Sequence, residues 1–145
     1  VKLSKRTEYG LRAIVALARL EPHTYVQSKD LAKQESIPPK FLESIMLTLR
    51  RAGLLESKVG AGGGYRLSKT PRDVSVGEII RRLEGRLATK DTSPKSEVSP
   101  GAIAVRLLAD KLTTATDAVL DELNLEQLLE HVAKAGTQAN AMYYI

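Results

Sequence analysis

The sequence predicts a mostly helical α+β fold carrying one small β-hairpin, and three observations support this. Apolar residues recur at three- and four-residue spacing through most of the chain. The stretch "VGAGGGYRLSK", Val59 to Lys69, lies between two short segments that alternate apolar and polar. Serine, asparagine, proline and glycine stand where helices should begin and end.

The first helix is expected over "SKRTEYGLRAIVALARL", with Ser4 as its cap and Leu11, Ile14, Val15 and Ala18 at helical spacing. Ser28 is placed to cap a short second helix, "KDLAKQES", whose Asp30 suits the positive end of the helix dipole. A break at Ile37 and two prolines separates it from a third helix, "PKFLESIMLTLRRAG". There Leu42, Ile45, Met46 and Leu49 fall at i, i+3, i+4 and i+7, and Gly53 is the stop.

The glycine run raises the question of a phosphate-binding loop. Gly60 and Gly62 could open a dinucleotide fingerprint, but Tyr65 stands where its last glycine belongs, and no Gly-Lys-Ser/Thr follows. "LLESKV" before it sets Leu55, Ser57 and Val59 against Glu56 and Lys58, and "YRLS" after it alternates as well, so the run reads as the tip of a hairpin. Beyond Pro71, Ser75 and Glu78 form a capping box for "VGEIIRRLEG", with Ile79, Ile80 and Leu83 inward and Gly85 as terminator. Residues 1–85 thus make one unit of three helices, a hairpin and a fourth helix.

Residues 86–100, "RLATKDTSPKSEVSP", are polar and proline-containing and read as a connector. A long helix follows over 101–122, with Val105, Leu108, Leu112, Ala115 and Val119 spaced alternately by three and four. Such a stripe suits pairing with a twin helix, hence dimerisation; the alternative is that it packs on its own domain. Asn124 is placed to cap a final helix carrying Leu125, Leu128, Leu129 and Val132, which is expected to end at 136 before a tail over 137–145.

Composition narrows the function. The chain has 145 residues, 43% of them hydrophobic, enough for one core with an appendage. Neither a membrane-spanning stretch nor a signal-peptide apolar region is seen, so a cytoplasmic protein without membrane contact is expected. With no cysteine, disulfides, thiolate nucleophiles and cysteine-ligated metal clusters are excluded, and no cofactor is expected. His23 and His131 are far apart in sequence, and Glu78 is a capping partner, so nothing assembles a catalytic constellation and the chain is not expected to be an enzyme. Through Arg86 there are 17 basic and 9 acidic residues, and afterwards 5 and 8. That asymmetry fits a front half that meets a polyanion.

Three helices and a hairpin in this order make a winged helix-turn-helix. Projected at about 100° per residue, the third helix turns Phe41, Leu42, Ile45, Met46, Leu49 and Ala52 to one side and Lys40, Glu43, Ser44, Leu47 and Arg51 to the other. The second set is suited to a major groove, with Ser44 and Lys40 as base readers and Arg51 equally suited to phosphate. Lys5, Arg6, Arg12, Ser28, Lys29 and Lys33 are candidate backbone clamps. At the wing, Lys58, Gly62, Gly63, Tyr65 and Arg66 are the candidates for the minor groove. A winged helix also serves as a protein-interaction module, and that reading stays open.

"LSKRTEYGLRAIVALA", "IPPKFLESIMLTLRRAGLLESKVGAGGGYRLSK" and "SVGEIIRRLEG" resemble the Rrf2 family of bacterial transcription regulators, the group that contains IscR, NsrR and CymR. The resemblance spans essentially the whole chain. Its most specific marks are Leu42-Glu43 in the third helix and the wing's Gly60-Ala61-Gly62-Gly63-Gly64-Tyr65. It implies a homodimer on a roughly palindromic double-stranded operator, crossed by the long helix, and a regulator rather than an enzyme; the basic front half and the winged-helix order lead us to expect a repressor. Two departures stand out. Many relatives carry arginine before the first wing glycine, where Val59 stands here, so reaching the groove falls to Lys58 or Arg66 or to no residue at all. Relatives that sense iron, nitric oxide or redox state carry three cysteines in the connector; this chain has none, which points to a cluster-free regulator answering a protein or small-molecule effector.

Overall fold

A computed structural model describes residues 2–84 and 96–143, with side chains up to 137. The expected stop at Gly85 and most of the 86–100 connector lie outside the described residues. The elements are α1 (Lys5–Ala18), α2 (Ser28–Glu35), α3 (Pro39–Arg51), β1 (Leu55–Lys58), β2 (Gly64–Leu67), a single 3-10 turn (Pro71–Asp73), α4 (Val76–Glu84), α5 (Pro100–Glu122) and α6 (Leu125–Tyr143). The fold is mostly helical with one antiparallel two-stranded sheet, in the winged-helix order.

Capping chemistry sets most boundaries. The Ser4 and Ser99 hydroxyls accept from the Thr7 and Ala102 amides at 3.2 Å each, and Ser75 Oγ accepts from Glu78 N at 3.3 Å. Asn124 and Gln127 exchange reciprocal bonds at 2.8 and 2.9 Å, a complete capping box at the head of α6. At the end of α3, Gly53 at φ 80° lets its own amide reach Arg50 O at 2.9 Å and the Leu54 amide reach Leu49 O at 3.0 Å.

Two boundaries differ from expectation. Gln27, not Ser28, is the N-cap of α2; Ser28 is already helical, where its hydroxyl cannot cap its own turn, and no side chain caps this end. The last helix runs through Gly136 to Tyr143 rather than giving way to a tail, because one glycine in a helix interior costs only about 1 kcal/mol against alanine.

The core lies under α3. Leu42, Ile45, Met46 and Leu49 are wholly buried against Ile14 of α1, Leu31 of α2, Leu54, Ile79 of α4 and Leu125 of α6. The inward line of α1 is Thr7, Gly10, Ala13, Ile14 and Leu17; Leu11, Val15 and Ala18 only flank it. The shift has a steric cause: a Cβ on Gly10 would lie 2.3 Å from Leu83 Cδ1, so the small residues mark where α4 presses on α1.

The two ends of this head are joined by a carboxylate. Glu84 at the end of α4 accepts from the Ser4 backbone amide, which holds its carboxyl below the usual carboxylate pKa, with the Ser4 and Thr7 side chains adding to the effect. The folded pKa lies below the unfolded one, so the stabilisation is present above the unfolded pKa and lost as pH falls through the folded value. Glu84→Gln is expected to cost about 1 kcal/mol at neutral pH. The gap between variant and parent should begin to narrow below the ordinary glutamate pKa of about 4.3 and go on narrowing as melts are repeated at still lower pH; a gap independent of pH would disprove the assignment.

Candidate nucleic-acid interface

The helix-turn-helix is built by a left-handed residue. Ser36 at φ 55° ends α2, the Ile37 amide reaches back to Ala32 O at 2.9 Å, and Pro38 and Pro39 start α3 at once. This delivers α3 with Lys40, Glu43, Ser44 and Arg51 exposed and Leu47 half-buried. Arg50, which the projection passed over, is exposed beside Arg51. Both arginines stand in the last turn, where cations suit the helix dipole and DNA phosphate alike.

Of the candidates on α1, Arg6 joins the α3 face directly. Its guanidinium donates to Thr48 Oγ1 at 2.6 Å and to Ser44 Oγ at 3.4 Å, while Thr48 Oγ1 donates to Ser44 O at 3.1 Å. Arg6 and Ser44 therefore act as one unit, which single-helix projection could not reveal. Lys5 pairs with Glu8 at 3.2 Å. Arg12 turns to α2, where it pairs with Glu35 at 3.6 Å and also donates to the Glu35 carbonyl. Lys29 and Lys33 are exposed on α2, and Ser28 is half-buried.

At the wing the register is Leu55 with Leu67, Glu56 with Arg66, Ser57 with Tyr65 and Lys58 with Gly64. Val26 adds a third, one-residue strand: its amide reaches Tyr65 O at 2.9 Å and the Tyr65 amide reaches Val26 O at 2.8 Å. A Cβ on Gly64 would lie 2.3 Å from Val26 O, and one on Gly63 would lie 2.2 Å from Lys58 O. The glycines are thus there to let three backbone segments close on one another. Tyr65 is half-buried and packs on the core, and Gly63 is buried, so both build the wing from within; Gly62 is at the exposed tip.

The two wing cations differ. Arg66 is paired with Glu56 at 2.9 Å, lies 4.5 Å from the Tyr25 ring centroid and contacts His23 Nδ1 at 3.4 Å. Lys58 is exposed, 5.9 Å from the Tyr25 centroid, and Val59 beside it is 96% exposed. The hairpin register would have disclosed the Glu56–Arg66 pair, since facing residues of opposite charge attract across a sheet.

The stripe on α5 is open. Only Ala102 and Leu120 of this helix are buried; Val105 (51%), Leu108 (59%), Leu112 (47%) and Val119 (63%) are exposed, as is Ala115. Among the described residues, the chain's own fold leaves the four larger of these apolar side chains about half exposed or more. The chain contains no cysteine, and among the described residues no three His, Asp or Glu side chains gather as ligands. No described helix is long and apolar enough to cross a membrane.

Comparison with known proteins agrees with this architecture. Residues 3–131 match the family Rrf2, described as an iron-dependent transcriptional regulator. The HTH-type transcriptional regulator CymR of Bacillus subtilis is 33% identical over 145 residues, covering all of both chains. The structure of CymR (YrzC), the global cysteine regulator of B. subtilis, superposes with a TM-score of 0.77 at 32% identity, covering 90% of this chain and 98% of that one. T. potens IscR superposes at 0.76 with 33% identity, covering 93% and 90%. These proteins are transcriptional regulators, not enzymes. With its winged-helix order, its exposed α3 face and these matches, the chain belongs to the Rrf2 family of DNA-binding transcriptional regulators.

Proposed function

We propose that the chain is a dimeric, sequence-specific repressor that seats two winged helices on one roughly palindromic operator and works without an iron–sulfur cluster. The observation that carries this is the open apolar stripe from Val105 to Val119 on a helix whose remaining contacts anchor the head. Five apolar side chains at heptad-like spacing, left in water, are accounted for by a second copy of the same helix. Each head then offers Lys40, Glu43, Ser44 and Leu47 to base edges, Arg51 and Lys29 to phosphate, and the Lys58–Gly62 tip to the minor groove. Arg6 supports Ser44 from behind. A cytoplasmic protein answering a protein or small-molecule effector completes the reading.

A second reading, a regulator that needs a partner protein to grip DNA, or a pure protein-interaction module, is favoured by one observation. Arg66 is already neutralised by Glu56, which leaves the wing with less free positive charge than its sequence implies.

Salt dependence distinguishes them. Duplex affinity of the purified chain is expected to fall steeply as salt rises. Lys40→Ala and Arg51→Ala should each weaken binding, and the log–log salt slope should become shallower by about one for every phosphate left without its cation. The dimer should be unaffected by either change. No duplex binding at any salt would favour the interaction module, and binding restored by cell extract the partner-dependent regulator.

A further inference from the structure

The joint between the DNA-binding head and α5 is built more firmly than packing alone requires. Asp117 and Asp121 stand one turn apart on α5, and Arg81 of α4 reaches both, at 3.4 and 2.7 Å. The Asp121 hydrogen bond, with that from Asp117, raises the guanidinium pKa above its ordinary value. Behind this fan, a Cβ on Gly77 would lie 3.0 Å from Leu120 O, so α4 and α5 are in close backbone approach. Val76, Ile80 and Leu120 form a small separate core there. The backbone is stitched as well: Val76 N–H donates to Leu123 O at 3.0 Å and Leu125 N–H to Val74 O at 2.9 Å.

The position of the fan on α5 gives it meaning. At about 100° per residue, Asp117 and Asp121 project roughly 180° from the mean direction of Val105, Leu108, Leu112, Ala115 and Val119. One side of α5 therefore holds the head and the opposite side faces outward, so in a helix pair the heads hang on the two outer flanks. The distance between their α3 helices is then fixed by the pair and by the angle at each joint. Two-fold readers engage half-sites one helical turn apart, about 34–36 Å, and one base-pair step is about 3.4 Å. A small swing at the joint is therefore enough to change which spacing fits.

We propose that Arg81, through Asp117 and Asp121, is a specificity-determining positioning residue that sets the half-site spacing this regulator accepts. Arg81 itself is exposed, turned to α5, and is not among the residues offered to DNA. The inference rests on the dimeric reading above, and its test is arranged so that the two fail separately.

Duplexes selected by the wild-type chain are rebuilt with the spacer between half-sites lengthened or shortened by one and two base pairs, and affinity is measured for each. Wild type is expected to prefer one spacing sharply. Arg81→Gln should flatten that preference about fivefold, the scale of an exposed two-armed ion pair, while dimerisation and binding to a single half-site stay as they were. Arg81→Lys, which keeps the charge, should restore most of it, and Asp117→Asn with Asp121→Asn should reproduce the Arg81→Gln profile. An Arg81→Gln profile identical to wild type, or affinity lowered equally at every spacing, overturns the role of Arg81. A wild-type chain that shows no spacing preference at all overturns the dimeric reading beneath it.

Discussion

Placing aspartate at both Leu108 and Leu112 is expected to leave a folded monomer whose affinity for a palindromic operator is lower by about 100-fold or more, the typical loss when two linked contacts become one. Both side chains are more than 45% exposed in the single chain, so their replacement removes little intramolecular packing and should change the stability of the isolated fold by less than about 1 kcal/mol. The same aspartates, facing their counterparts across a two-fold seam, would bring four carboxylates into an apolar interface, where burying unpaired charge is costly. Sedimentation or light scattering reports the oligomer, thermal unfolding the fold, and a gel shift the affinity. If the double variant stays dimeric, the seam lies elsewhere; if it is monomeric yet binds the operator as tightly as the parent, pairing is irrelevant to recognition.

The second large effect is expected at Gly64. It combines φ 131° with a backbone contact that a methyl group would violate, since its Cβ would fall 2.3 Å from Val26 O and 2.7 Å from Gln27 N. Neither partner is a flexible side-chain end that can turn aside. Gly64→Ala must break the Val26–Tyr65 bridge and shift the chain entering α2, at a cost of about 3 kcal/mol from left-handed strain and overpacking together. The melting temperature should fall by roughly 10 °C. Gly62→Ala is the control: at φ 75° with nothing within 4 Å of its Cβ, it should cost only about 1 kcal/mol of backbone strain. Equal losses at the two positions would show that close approach is not what Gly64 is for.

These two positions also show what could be read before folding. The stripe on α5 was legible because helical periodicity survives whatever the helix packs on, and its spacing alone suggested a twin. The caps at Ser4, Ser75 and Asn124 were equally accessible, since a short polar side chain before an apolar period satisfies local amides wherever the helix lies. Ser28 misled because glutamine at 27 offers no such signal and a serine one residue late looks the same in sequence. The glycine run announced a hairpin but not its reason, because Val26 pairs through one residue and lies 38 positions before Gly64. The α3 face came out of projection, whereas the Arg6 contacts to Ser44 and Thr48, and the Arg81 fan onto Asp117 and Asp121, join elements tens of residues apart and leave no periodic trace. Local rules thus outlined the exposed face of α3; the contacts that reach it and the α4–α5 joint from other elements became visible only in three dimensions.

The central claim, two identical heads on one duplex, is tested most directly by stoichiometry. Duplexes enriched from a random pool by the purified chain can be weighed in complex with it by native mass spectrometry. Two chains per duplex, on a motif that repeats in inverted orientation about one helical turn apart, is the predicted result. One chain per duplex on a single unrepeated motif would contradict it.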